Sequence, residues 1–251
     1  MKGESPELQV QYQSELANQY ERIERRSDRK YLFVPTVKKV IGDVGNKRIF
    51  DFATGRGYWA RLFKDWGARE VVGVEAQSEM VRLAQQQELN QQHYISYRHA
   101  DVRDFRDSNP AEVVFAGFLL NYAKSEGDLK AMGNSIFLNL IRGGRFVSLT
   151  PNPDKPEFDG SKYGCSLVAR QGLIEGHPIT CTCWEESGDR IEFNYYWWQK
   201  ETIENALIAA GMRDIQWHPL NVSEDGKNNF PEDYWKEYIE VSNPLVLECR
   251  K

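Results

Sequence analysis

Strand-length and helix-length segments alternate along most of this 251-residue chain, which predicts an α/β fold with a doubly wound, mostly parallel, seven-stranded sheet. A turn of small residues, Ala53-Thr-Gly55-Arg-Gly57, joins the first strand to the first helix and fits the crossover such sheets require. The apolar run 111–118 has the length of a buried strand. An N-terminal helical flap and an inserted β-hairpin complete the expected architecture.

The elements follow in order. Arg48-Ile-Phe-Asp-Phe reads as a buried strand closed by that turn, and 58–66 as the helix after it. Val71-Val-Gly-Val is a second strand followed by a helix over 78–88, and Ser96-Tyr-Arg-His is a short third strand. The run 111–118 is the fourth, 129–141 has helical spacing, and Gly143-Gly turns the chain into a fifth strand ending at Thr150. Residues 151–178, with Pro151, Pro153, Pro156 and several glycines, are expected as loop. Segments 179–184 and 190–198 alternate with period two around Glu-Glu-Ser-Gly-Asp and predict a hairpin. A helix over 200–210 ended by Gly211, a strand over 214–217 and a last strand over 244–249 finish the sheet. Residues 1–45 are polar and amphipathic. They are expected to form a helical lid on a single domain spanning 1–251, in which 151–199 is the loop and aromatic hairpin insertion.

Composition narrows the class. With 41% hydrophobic, 27% charged and 12% aromatic residues, the chain is globular and long enough to bury its own core. Its 32 basic and 37 acidic side chains give a net charge of −5, which disfavours a nucleic-acid partner. The longest apolar run, 113–120, falls far short of the ~20 residues a spanning helix needs. The first residues lack the apolar stretch of a secretion signal. Four cysteines at 165, 181, 183 and 249 form no disulfide framework, and Cys181-Thr-Cys183 reads as two thiols on one face of a strand. The four histidines lack ligand spacing, so no metal is expected. The expected setting is cytoplasmic and reducing, without membrane, as a monomer or homodimer acting on a small molecule.

Acids end three successive strands: Asp51, Glu75 and Asp101. Glu75, eighteen residues after Gly57, stands where a carboxylate accepts hydrogen bonds from both hydroxyls of a ribose. Two ligands fit, a nicotinamide dinucleotide and S-adenosylmethionine. Gly55-Arg-Gly57-Tyr-Trp-Ala60 matches the dinucleotide pattern G-x-G-x-x-A. Asp51 weighs against it, because a carboxylate there repels a pyrophosphate and favours a cationic amino acid moiety. Asp101 adds an acceptor for an adenine amino group.

These segments resemble the class I S-adenosylmethionine-dependent methyltransferases from about Asp51 to Cys249. DFATGRGYWAR is similar to the family's glycine-rich first motif and VVGVEAQSEMVRLA to its ribose-binding second. HADVRDF resembles the adenine-contacting third motif, VVFAGFLLNYA the fourth, and IRGGRFVSL the strand closing the core. The Leu119-Leu-Asn-Tyr-Ala run, Lys162-Tyr-Gly, 191–198, Ala209-Ala-Gly and Ile215-Gln-Trp-His-Pro resemble the toxoflavin (azapteridine) N-methyltransferase type of small-molecule methyltransferase. The first motif departs from the family in Ala53, where glycine is commoner; alanine is still small enough for the turn. The resemblance implies S-adenosylmethionine as cofactor and methyl transfer to N or O of a small, planar heteroaromatic acceptor of secondary metabolism. It implies cofactor contacts from Asp51, Ala53, Gly55, Gly57, Glu75, Asp101 and Val102. Ala76 and Met80 would pack on the adenine, Phe118 would sit beside the methionine portion, and Tyr31 would reach in from the lid.

Methyl transfer from a sulfonium is an in-line displacement on an activated carbon, so the protein must align the reactants, exclude water and accept a proton where the nucleophile carries one. No dedicated base stands out. Tyr12 and Tyr20 lie on the expected lid, and Tyr20 is the expected catalytic neighbour of the transferred methyl. His218, beside Pro219, is placed near the substrate. In the hairpin, Ile191, Phe193, Tyr195 and Trp197 share one face and Asn194, Tyr196 and Trp198 the other. Tyr196 and Trp198, with Asn121, Tyr122 and Tyr163, form the expected wall for a flat acceptor. No Arg or Lys cluster accompanies them, so phosphorylated or multiply anionic acceptors are expected to fit poorly. The rival readings are a nicotinamide-dependent oxidoreductase and a cofactor-binding protein without transferase activity.

Overall fold

The computed structural model describes residues 26–91, 93–184 and 190–251. A π-helical turn, Arg29–Phe33, leads into α1 (Val34–Ile41). The first five strands are β1 (Arg48–Phe52), β2 (Glu70–Glu75), β3 (Ser96–His99), β4 (Ala111–Gly117) and β5 (Leu140–Thr150). They are parallel and connected through α2 (Tyr58–Asp65), α3 (Ser78–Gln91) and α4 (Glu126–Leu138).

A second, antiparallel sheet follows: β6 (Phe158–Gly160), β7 (Cys165–Val168), β8 (Pro178–Trp184) and β9 (Arg190–Tyr196), paired in chain order. The chain then runs through α5 (Lys200–Ala209), β10 (Arg213–His218), α6 (Glu224–Asn228), α7 (Lys236–Val241) and β11 (Leu245–Arg250). The central sheet has seven strands in the order β10-β11-β5-β4-β1-β2-β3, and β11 is antiparallel to both neighbours. The expected doubly wound sheet is therefore present.

Both faces are covered, and strand alternation explains how. In β1, Ile49 joins the core shared with α1, α2 and α3, while Phe50 and Phe52 face the core shared with α4 and α5. The second sheet packs on the first of these cores through Cys165, Ile179, Ile191 and Tyr195.

Two expectations change, and a segment left unassigned by the sequence proves helical. Residues 151–178 are not only loop, because β6 and β7 extend the hairpin to four strands. Those strands are three and four residues long, too short for a periodic signal; β7 forms on the edge of β8, and β6 on the edge of β7. Helix α4 begins at Glu126 rather than near 129, since Ser125 caps it by accepting the Asp128 N–H at 3.2 Å. The segment 219–243 holds α6 and α7, whose five and six residues depend on tertiary packing.

Candidate functional site

A cavity of about 660 Å³ lies beyond the carboxyl ends of β1, β2 and β4 and extends to the inner face of the second sheet. Its first end is built on the turn after β1. Ala53, Gly55 and Gly57 all have positive φ, at 54°, 54° and 83°. A Cβ on Gly55 would meet nothing within 4 Å, so the turn leaves open space there. Three of the turn's N–H groups are consumed within the protein. Thr54 donates to Val74 O, Gly57 to Thr54 O, and Gly55 to Glu75 Oε2 at 3.0 Å. Glu75 Oε1 accepts the Gln77 N–H at 2.9 Å, so this carboxylate ties the two loops together.

Asp51 is fully buried beneath this turn. Its Oδ2 accepts the Thr54 hydroxyl at 2.6 Å, while Oδ1 has no hydrogen-bond partner. Burial pushes the Asp51 carboxyl up to about 7, against the pull of the Thr54 bond. The group therefore keeps its proton in the folded state up to about pH 7, whereas the unfolded chain releases it near the ordinary carboxylate value of 3.8. Folding stability from this group is greatest below pH ~4, falls as pH rises to ~7 and is flat above. Thermal melts at pH 4–8 should show wild type losing ground to Asp51→Asn across that interval. Parallel curves would mean that Asp51 ionises normally.

On the next strand Asp101 is engaged rather than open. Arg103 donates its backbone N–H at 2.9 Å and its guanidinium at 2.6 Å to Asp101, and also reaches Asp128 at 2.5 Å. These hydrogen bonds hold both carboxyls below their usual range. Ala76, Met80, Val102 and Phe118 stand on the same stretch of wall. Phe118 adopts a left-handed φ of 67° where the chain leaves β4.

The far end is framed by the second sheet. Strand alternation places Cys181 and Cys183 on its inner face, with Sγ atoms 3.8 Å apart. Cross-strand partners continue that face: Cys165 opposite Cys183, Leu167 and Phe193 flanking Cys181, and Tyr195 opposite Ile179. Tyr195 is 3% exposed and its hydroxyl has no hydrogen-bond partner. Asn121, between the two ends, has a buried Oδ1 that is likewise unpartnered.

The comparisons now bear on this architecture. Residues 49–144 match the family model described as "Methyltransferase domain". No curated protein matches the chain by sequence. Among solved structures, a methyltransferase from Mesorhizobium loti superimposes with TM-score 0.62 at 18% identity, covering 86% of this chain and 96% of its own. A second, from Clostridium acetobutylicum, gives 0.64 at 14%, covering 93% and 98%. CalS10 from Micromonospora echinaspora, an amino pentose methyltransferase of calicheamicin biosynthesis solved with S-adenosylmethionine bound, gives 0.57 at 14%, covering 100% and 98%.

The chain has the class I methyltransferase fold. Within this methyltransferase fold, Ala53, Gly55, Glu75, Ala76, Met80, Asp101, Val102, Phe118, Asn121 and Tyr122, all singled out in the sequence, line the cavity. Asp51 and Gly57 do not. Asp51 is covered by Thr54, and Gly57 lies against Tyr97 and Arg61 behind the turn.

The aromatic wall is a different one from that expected. Tyr163 stacks on Trp235 at 5.6 Å and donates its hydroxyl to Tyr234 O, inside an aromatic cluster. Trp198 donates to Ala123 O, and Tyr196 packs with it on the core beneath α4 and α5. The opposite hairpin face, Phe193 and Tyr195, meets the cavity instead, because sheet pairing turned that face inward. Tyr31 packs edge-on against Phe230 at 5.5 Å, and His218 pairs with Glu248 at 3.2 Å on β11; neither reaches the cavity. Tyr12 and Tyr20 lie outside the described residues.

Sequence reasoning missed Arg26, Asp28, Arg29 and Tyr238, which also line the cavity. Only the Cys-Thr-Cys pair carried a local signal for that end. Among the described residues, no cluster of His, Cys, Asp and Glu is arranged to hold a metal, and no helix is long and apolar enough to cross a membrane.

Proposed function

We propose that the protein transfers a methyl group from S-adenosylmethionine to N or O of a small, planar acceptor, as a single domain whose second sheet forms the acceptor wall. The observation that carries this reading is the turn after β1. Three of its N–H groups are spent internally, that of Gly55 on the Glu75 carboxylate, and so are not free to hold a pyrophosphate. A dinucleotide is thereby disfavoured. A ligand bearing a ribose and a cationic amino acid end suits the acids around the open space at Gly55.

Glu75 would hold the ribose hydroxyls, with Ala76 and Met80 against the purine. Asp101 would accept from its amino group once Arg103 yields one oxygen. Asp51 would act through Thr54, fixing the turn rather than touching the ligand. When bound, the sulfonium supplies a methyl group already activated for displacement. Phe118 and Asn121 stand between the two ends of the cavity, where the acceptor must be oriented. Asn121 Oδ1 is an unfilled acceptor for a ring N–H or a hydroxyl. The apolar wall of Leu167 and Phe193 excludes water and presents a π-face to a flat ring.

The test is a titration with S-adenosylhomocysteine against NAD(H) and NADP(H), followed by turnover on pterin-like, pyrimidine-triazine, indole and phenol acceptors with EDTA present. Binding of the sulfur ligand alone, and metal-independent turnover, are the expected results. Nicotinamide binding that Glu75→Ala abolishes would reverse the class.

Two tyrosines should separate by role. Tyr195→Phe should reduce kcat/KM for the acceptor about tenfold through loss of one hydrogen bond, while leaving the melting temperature unchanged, since its hydroxyl is unpartnered in the empty protein. Tyr20→Phe should lower kcat with S-adenosylhomocysteine affinity intact. An unchanged rate in either variant removes that residue from the reaction.

A further inference from the structure

The acceptor end of the cavity carries an excess positive charge. Arg26 and Arg29 both line it, against one carboxylate, Asp28. Arg26 is fully engaged: it pairs with Asp28 at 2.7 Å and donates to Gly164 O at 2.7 Å and Tyr163 O at 3.0 Å. Asp28 is equally occupied, accepting from Arg26, from the Tyr238 hydroxyl at 3.0 Å and from the Arg29 backbone N–H at 2.8 Å. Among the described residues, the Arg29 guanidinium has neither hydrogen bond nor ion pair. The thiols opposite register the field. Cys183 is drawn below the ordinary thiol range, first by its hydrogen bond from Cys181 and then by Arg26 and Arg29, against its burial.

We propose that Arg29 is the recognition site for a single carboxylate on the acceptor, placed at the far end of the cavity from Glu75. The inference rests on the methyltransferase reading for the word acceptor, but the anion site stands on its own geometry. A guanidinium matches a carboxylate in a two-pronged pairing. The rest of that wall, Phe158, Leu167, Phe193 and the thiols, adds only the single Tyr195 hydroxyl, too few donors for the additional oxygens of a phosphate. A flat apolar body with one carboxylate satisfies both halves: the ring lies on Leu167, Cys181 and Phe193, and the charge answers Arg29. This agrees with the expectation that multiply anionic acceptors fit poorly, while assigning a place to one anion.

The full chain should be titrated calorimetrically with 2-naphthoate and 2-naphthamide, with and without saturating S-adenosylhomocysteine. In wild type the naphthoate should bind at least tenfold more tightly than the amide. Arg29→Gln should abolish that preference and leave amide affinity unchanged; Arg29→Lys, which keeps the charge, should retain most of it and serves if the Gln variant melts early. Equal affinities in wild type, an equal loss for both probes in Arg29→Gln, or no binding of either probe at millimolar concentration would each overturn the proposal. Failure of S-adenosylhomocysteine to bind, with the naphthoate preference intact, would sink the cofactor reading and leave the anion site standing.

Discussion

Replacing Glu75 by alanine should weaken S-adenosylhomocysteine binding by ~2–3 kcal/mol, or roughly 30- to 150-fold, because charge-assisted hydrogen bonds to a buried carboxylate are among the stronger polar interactions. The side chain is only 9% exposed and already accepts the Gly55 and Gln77 N–H groups, one on each oxygen. Each oxygen has a second lone pair, so it can serve a ribose hydroxyl without releasing the loops. Glu75→Gln keeps one acceptor oxygen but loses the charge, and should fall between wild type and alanine, about tenfold weaker. Calorimetric titration gives both values, and a melt of each unliganded variant separates lost ligand contacts from a loosened turn. Unchanged affinity in Glu75→Ala would remove the ribose role.

Gly57→Ala should be the most damaging small substitution in the turn. Its φ of 83° disfavours any L side chain, and an added Cβ would collide with the Tyr97 hydroxyl and come within 2.9 Å of Arg61 Nη1. The left-handed backbone costs about 1 kcal/mol and overpacking a further ~1–3 kcal/mol, so ~2–4 kcal/mol in all. For a domain of this size that lowers the melting temperature on the order of 10 °C. Adding Tyr97→Phe removes the nearest colliding atom and should recover part of the loss, although the ring Cζ stays 2.8 Å away. Gly55→Ala is the control: it shares the positive φ but meets nothing, so its melting temperature should fall by only the backbone share. Equal losses at the two positions would contradict the collision.

The two halves of the cavity differed in how legible they were. The half at the turn after β1 is coded locally. Small residues at 53, 55 and 57 follow a strand directly, Glu75 ends the second strand and Asp101 lies two residues beyond the third, so each signal lies within a few residues of the element that positions it. Even there, burial was not readable: whether Asp51 faces the cavity or hides behind Thr54 depends on how the turn folds back. The half at the second sheet is assembled from distant segments. Arg26 meets Gly164 across 138 residues, and Tyr238 meets Asp28 across 210. No local pattern announces such contacts. Arg26 and Arg29 sat among other charges of a polar segment, with nothing to mark them as cavity residues.

The hairpin shows where the boundary falls. Alternation by itself determined that Phe193 and Tyr195 share one face and Tyr196 and Trp198 the other, because successive side chains of a strand must point to opposite sides. Alternation also determined that Cys181 and Cys183 are neighbours, as their 3.8 Å separation bears out. Which face looks into the cavity was decided only when β7 paired with β8 and the small sheet settled on the central core. Both faces are aromatic, so hydrophobicity gave no preference between them, and the choice passed to packing. Trp198 found a partner in Ala123 O and a place under α5, leaving Tyr195, with its unsatisfied hydroxyl, to face the cavity.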